Sequence, residues 1–164
     1  MNHPHWQKQT WVIIPAYNEG AVIRSIVREL LDCGYQIIVV DDGSEDDTPH
    51  VLSDLPLVYV RHPLNLGQGA ALQTGMKMAL QLDASYVLHF DADGQHPVSQ
   101  IPDLLAPLVQ DKADICLGSR FLSVESRGEV PFRRRLTLQV GRIVNYLFTG
   151  MWLSDAHNGF RAMN

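Results

Sequence analysis

Apolar positions along the chain fall into two alternating periods. Short continuous runs rich in Val, Ile and Tyr occur at "TWVIIPA" (10–16), "QIIVVD" (36–41), "LVYVR" (57–61), "YVLHF" (86–90) and "ADICLG" (113–118). Such runs suit strands buried on both faces. Between them the period changes. Val22, Ile23, Ile26, Val27, Leu30 and Leu31 recur at helical spacing, as do Ala71, Leu72, Gly75, Met76, Ala79 and Leu80. A third set, Val98, Ile101, Leu104, Leu105, Leu108 and Val109, keeps that spacing across two prolines, which predicts a start near Pro102 and a kink or early end near Pro107. Leu136, Val140, Ile143, Val144 and Leu147 predict a last helix. Strand then helix in repetition predicts an α/β domain: a mostly parallel central sheet with helices on both faces.

Composition adds bounds to this picture. At 164 residues and 46% hydrophobic the chain suits one globular domain, and no stretch approaches the ~20 apolar residues of a membrane span. "MNHPHWQKQTW" does not read as a secretory signal, and Cys33 and Cys116 are too few and too far apart for a disulfide framework or a zinc site. The expected location is cytoplasmic. His89 falls inside a strand pattern and reads as a satisfied interior residue; His96 and His157 share no metal-ligand spacing with it.

The net charge of −5 hides a division, because residues 120–164 carry seven arginines against three acids. A planar guanidinium suits bidentate phosphate binding. An acidic chain without aromatics interleaved among its bases does not read as a nucleic-acid binder. A local phosphate site fits better, and the Arg133, Arg134, Arg135 run at the start of the last predicted helix opposes the helix dipole unless something anionic lies nearby.

Ligands of open parallel sheets bind beyond the carboxyl ends of the strands. Here those ends read "PAYNE", "DDGSEDD", "RHPLNLGQGAA", "DADGQ" and "GSRF". They gather Glu19, Asp41, Asp42, Arg61, Asp91, Asp93 and Arg120 at one edge, a concentration that needs a cation, a ligand or hydrogen bonds to offset its repulsion. Asp91 and Asp93 with Gln95 form an oxygen-rich half-shell suited to Mg²⁺ or Mn²⁺. Blander readings exist for each segment. "DADG" can close a polar turn, Asn18 can cap a helix in "YNEG", Arg61 can pair structurally with the acidic edge, and Gly69 and Ala70 can form a helix-packing face.

The motifs "IIPAYNE", "IIVVDDGSEDDT", "NLGQGAALQTGM", "FDADGQHP", "GSRF" and "NGFRAM", in this order from Val12 to the chain end, resemble the family 2 inverting glycosyltransferases of Rossmann-like GT-A fold, in their dolichol-phosphate mannose synthase-like branch. The resemblance implies that Pro15, Tyr17, Glu19, Asp41 and Asp42 hold the base and ribose of a nucleotide sugar, with Asp91, Ala92 and Asp93 at its diphosphate. Asp91, Asp93 and Gln95 then match the metal motif, and Asp93 and Arg120 fall among the catalytic groups. Arg120 and one of Arg133, Arg134 and Arg135 match bases that meet a polyprenyl-phosphate acceptor. Asn158 stands where relatives often have Thr or Ser. Relatives of this branch usually continue further, so a single domain over 1–164 lacking the C-terminal part is expected.

The reaction so implied is inverting transfer from a GDP- or UDP-sugar to a polyprenyl phosphate, with peripheral contact at the cytoplasmic face of a membrane through the arginines at 133–135 and the apolar segment "NYLFTGMWLSD" (145–155). An ionised phosphate acceptor needs no strong base. A saccharide hydroxyl does, and Asp155, ahead of His157 in the same "SDAHNGF" segment, is the candidate for it. Two rivals remain at this level: a nucleotide-sugar-binding module without turnover, and a haloacid-dehalogenase-like phosphatase with Asp91 as nucleophile.

Overall fold

A computed structural model of the chain describes residues 4–92, 97–118 and 159–164. Its contacts divide into two compact units, Met1–Cys116 with Arg161–Asn164, and Leu117–Phe160. In the second, the Gly118 N–H donates to the Phe160 carbonyl at 2.8 Å. The first holds the sheet.

The described elements, in chain order, are α1 (His5–Lys8), β1 (Thr10–Ala16), α2 (Ile23–Asp32), β2 (Gln36–Asp41), α3 (Thr48–Leu52), β3 (Val58–Arg61), α4 (Gln68–Gln81), β4 (Tyr86–His89), a 3₁₀ turn (Val98–Gln100), α5 (Ile101–Val109), β5 (Ile115–Leu117) and β6 (Arg161–Met163). The strand order is β3-β2-β1-β4-β6-β5. β1 pairs in parallel with both β2 and β4, and β2 with β3, whereas β6 runs antiparallel to β4. The mostly parallel α/β sheet is as the sequence predicts.

Alternation along β1 and β2 divides the core. Ile13, Ile38 and Val40 pack with Ala71 and Ala79 of α4. Val12, Ile14, Ile37 and Val39, equally buried, point to the opposite face. That face is where a right-handed crossover from β1 to β2 puts α2, whose Ile23, Val27 and Leu30 are buried. The crossover from β3 back to β4 puts α4 on the other side. α4 lies close to the sheet because its inner face is small: a Cβ on Gly75 would stand 2.3 Å from Ile13 Cγ2. Leu80, counted in the same apolar stripe by its spacing, is 73% exposed.

Four expectations need correction. The proline-bearing helix starts at Ile101 with Pro102 in its first turn, as expected, where a missing N–H costs little, but it does not end early at Pro107 and runs on to Val109. Gly69 takes no part in packing, since a Cβ there would meet nothing within 4 Å; Ala71, Gly75 and Ala79 are the inner face. Asn18 caps no helix, because α2 begins only at Ile23. His89 is buried, yet its Nε2 has no partner among the described residues, and burial together with the nearby Arg161 cation holds the imidazole below its ordinary range. β6 and α3 are too short for periodicity to announce. The helix expected over 136–147 lies outside the described residues.

Candidate active site at the carboxyl edge of the sheet

Strand order reverses direction between β1 and β4, so the crevice rule places a ligand beyond the ends of these two strands. The first wall comes from the exit of β1. Pro15 and Ala16 end the strand, Tyr17 is 45% exposed, and Asn18 adopts φ +57°. That left-handed residue turns the loop toward the exit of β2, and hydrogen bonds sew the two together. Asn18 N–H donates to Ser44 Oγ at 2.9 Å, while Asn18 Oδ1 accepts from the Glu45 N–H at 2.9 Å. Glu19 N–H donates to Thr48 Oγ1 at 3.0 Å and Gly20 N–H to Asp46 Oδ2 at 3.0 Å. Asp46 also accepts from the Thr48 N–H at 2.9 Å and from the Thr48 hydroxyl. The Thr48 hydroxyl, chiefly, holds the Asp46 carboxyl below its ordinary range against partial desolvation.

The paired acids at the end of β2 are both inside the protein. Asp41, fully enclosed, accepts from the Ser44 N–H at 2.8 Å and from the Tyr59 hydroxyl, with Arg61 Nε at 3.5 Å. Desolvation and the Asp41 carboxylate push the Tyr59 phenol up, which keeps it a donor. Arg61 also donates to the Ser44 carbonyl at 2.7 Å, so its structural pairing with the acidic edge is present. Asp42, 3% exposed, accepts from His62 Nδ1 at 2.7 Å, from the Leu66 N–H at 3.0 Å and from the Gly67 N–H at 2.7 Å. Burial works against its charge, but these donors outweigh burial and hold the carboxyl below its ordinary range. Gly43 makes the turn possible. It has φ +78°, and a Cβ there would stand 2.8 Å from the Leu64 carbonyl carbon.

At the end of β4, Asp91 is partly buried, and Gln68 Nε2 donates to its Oδ1 at 2.8 Å. Gln68 is the first residue of α4, so the glycine turn before that helix brings an amide to the carboxylate. Ala92 is buried beside it. The other expected site residues, Asp93, Gln95, Arg120, Arg133, Arg134, Arg135 and Asp155, lie outside the described residues. Among the described residues no three His, Cys, Asp or Glu side chains converge on one point. Asp91 is the member of the expected ligand set that is described, and an oriented carboxylate at a strand end is the donor type a hard divalent cation takes.

The structure thus brings Pro15, Tyr17, Glu19, Asp41 and Asp42 to one edge, and Asp91 to the exit of β4 next to β1. It adds partners that the sequence reading missed: Gln68, His62, Thr74 and Asn18. All four lie in the strand exits or motifs quoted from the sequence, but nothing in those patterns assigned them these partners.

A doubly wound sheet with acids at its carboxyl edge, on both sides of the switch point, defines the class of nucleotide-binding α/β domains. Within that class the assignment is specific. Residues 11–164 match the model of glycosyl transferase family 2, and the chain belongs to that family. It is 32% identical to a UDP-N-acetylglucosamine–dolichyl-phosphate N-acetylglucosaminyltransferase of Methanococcus voltae, over 96% of this chain and 70% of the relative. It is also 32% identical to a polyprenol monophosphomannose synthase of Mycolicibacterium smegmatis, over 94% of this chain and 61% of the relative. These relatives belong to the dolichol-phosphate mannose synthase-like branch. Glucosyl-3-phosphoglycerate synthase from Mycobacterium tuberculosis, solved with Mn²⁺, UDP and phosphoglyceric acid, superposes with a TM-score of 0.69 at 23% identity, covering 100% of this chain and 61% of that one. That likeness establishes the GT-A fold. The chain spans about two thirds of the length of these proteins.

Proposed function

We propose that this chain carries the donor half of a glycosyltransferase that moves a sugar, with inversion, from a GDP- or UDP-sugar to a polyprenyl phosphate. The observation that carries the proposal is the pairing, at one sheet edge, of an acid clamp at β2 with an amide-oriented carboxylate at β4. The names of the two relatives, both polyprenyl-phosphate sugar transferases, support the acceptor class.

In this reading Pro15 and the exposed Tyr17 ring flank the base, while Glu19 and Asp42 face the base and ribose. Asp42 has three protein donors on a group that accepts about four, leaving room for one more. Asp41 has no exposed surface, so it acts through Ser44 and Arg61, which it holds in place. Asp91, with Asp93 and Gln95, would hold Mg²⁺ or Mn²⁺, which when bound supplies positive charge against the diphosphate. Asp91 enters already aimed by Gln68. Arg120 and the arginines at 133–135 take the acceptor phosphate, and its ionised oxygen attacks the anomeric carbon as the nucleoside diphosphate departs. Among the described residues no helix is long and apolar enough to cross a membrane. Contact with a lipid acceptor is proposed as peripheral, through the arginines at 133–135 and the apolar segment 145–155.

Thermal-shift screening of GDP- and UDP-sugars with and without Mn²⁺, followed by transfer of labelled sugar to a polyprenyl phosphate, tests the proposal. One nucleotide class should stabilise the protein more strongly with Mn²⁺, and label should enter the lipid. Transfer to a soluble saccharide at a rate unchanged by replacing Arg120 and Arg133–Arg135 would overturn the lipid-phosphate acceptor and favour Asp155 as a base.

A further inference from the structure

His62 is a buried titratable group that the proposed chemistry does not use. It is 8% exposed, its backbone N–H donates to the Asp41 carbonyl at 2.8 Å, and its ring spans two elements. Nδ1 meets Asp42 Oδ1 at 2.7 Å and Nε2 meets Thr74 Oγ1 of α4 at 2.9 Å. A ring with its proton on Nδ1 satisfies both: it donates to the carboxylate and accepts from the hydroxyl. Asp42 is fixed elsewhere too. Its backbone N–H donates to the Ala16 carbonyl at 2.8 Å, one residue before Tyr17, and its carboxylate takes the N–H groups of Leu66 and Gly67. Gly67, with φ +92°, is the cap from which α4 starts, and the next residue, Gln68, donates to Asp91. A single line of hydrogen bonds therefore runs from Thr74 through His62 and Asp42 to the turn that aims Gln68 at Asp91.

We infer that His62 is a positioning residue for donor binding, fixing the Asp42 carboxylate and the 63–67 turn against Thr74 so that both walls of the nucleotide site are set before the donor arrives. The inference rests on the proposed donor site and adds to it a residue that need not touch the nucleotide. Its physical basis is the cost of a mobile buried carboxylate. Without the imidazole, Asp42 keeps only two backbone donors from a turn that it is itself holding, and loses its link through the ring to Thr74 of α4.

The test measures nucleotide-sugar affinity without metal, and donor KM and kcat with Mn²⁺, in His62→Ala, His62→Asn and Thr74→Val. His62→Ala should weaken metal-free binding about tenfold or more, the size expected when a buried acceptor loses a donor, and should raise donor KM more than it lowers kcat. His62→Asn, whose amide can still donate to Asp42, should recover most of that loss, and Thr74→Val should fall between. Amide exchange at Leu66 and Gly67 should quicken in the same order. Wild-type affinity in Thr74→Val, or equal weakening by Ala and Asn at position 62, would overturn the inference; the first stands as a test even if His62→Ala does not fold. Failure of the unsubstituted protein to bind any GDP- or UDP-sugar would overturn the donor reading itself, and this inference with it.

Discussion

The ends of β2 and β4 both carry carboxylates at the same edge of the sheet, and the protein treats them differently. Asp41 and Asp42 are enclosed and bound by the N–H groups of Ser44, Leu66 and Gly67 and by Tyr59, Arg61 and His62. Asp91 is only partly buried, and the side-chain amide of Gln68 at the start of α4 donates to it. Buried charge persists only where fixed donors replace water, so the β2 acids are built into the scaffold. A carboxylate meant for a cation must keep an approach open. Equal sequence charge has produced a buried clamp at one exit and, at the other, a partly buried carboxylate of the kind the proposed cation would need.

Replacing the acid at each exit breaks the comparison most sharply. Asp91→Asn should lower sugar transfer by about a hundredfold or more while the melting temperature holds, because a charged oxygen is lost from the reacting edge and like-charge repulsion falls with it. Metal should also cease to enhance nucleotide binding. Equal enhancement by Mn²⁺ in the parent, Asp91→Asn and Asp93→Asn, read by calorimetry, would move the cation elsewhere.

Asp42→Ala should do the reverse. It strands donors inside the protein and should cost about 2–3 kcal/mol of folding stability, measured by urea unfolding, with weaker nucleotide binding even without metal. The acid dependence has a definite sign. Because the folded carboxyl lies below its ordinary range, its contribution is complete above that range and is lost as pH falls through the folded value. Asp42→Asn should therefore lose less stability than the parent between neutral and strongly acidic pH. Tyr17→Ala, at an exposed position, should lower nucleotide affinity and leave stability unchanged.

How much of this was legible depends on the range of the signal. The strands at 10–16 and 36–41 were given residue for residue, because continuous β-branched runs between polar turns have one reading, and the charged exits followed from topology. Which acid is a clamp was not legible. The donors to Asp42 come from residues twenty or more positions away, two of them backbone N–H groups that no side-chain pattern reveals. The small inner face of α4 was half legible. Ala71, Gly75 and Ala79 have helical spacing, but so do Met76 and Leu80, and only the closeness of Ile13 decides which face turns inward.

That closeness supplies the next test. Both exits depend on α4, which carries Thr74 behind Asp42 and Gln68 beside Asp91, so pushing the helix outward should disturb them together. Gly75→Ala places a methyl 2.3 Å from Ile13 Cγ2 and should cost about 1–3 kcal/mol, with transfer falling further than unfolding of the population explains. An activity per folded molecule equal to the parent's would mean that the two exits do not share this support.

The smallest effect belongs to a carboxylate that is neither clamp nor reactive edge. Asp54 pairs with Arg24 at 2.5 and 2.7 Å, and that pairing, chiefly its hydrogen bond, holds the Asp54 carboxyl at about 2. Its side chain is 62% exposed, so water and salt screen what the geometry offers. The contribution is present at neutral pH and fades only as pH falls toward that value. Asp54→Asn should shift unfolding less than Asp42→Ala or Gly75→Ala, and the shift should vanish in high salt, whereas the shift from Asp42→Ala should persist there, its partners being shielded from solvent. If both shifts disappear in salt alike, Asp42 behaves as a surface charge and the contrast between a built-in clamp and an open edge fails.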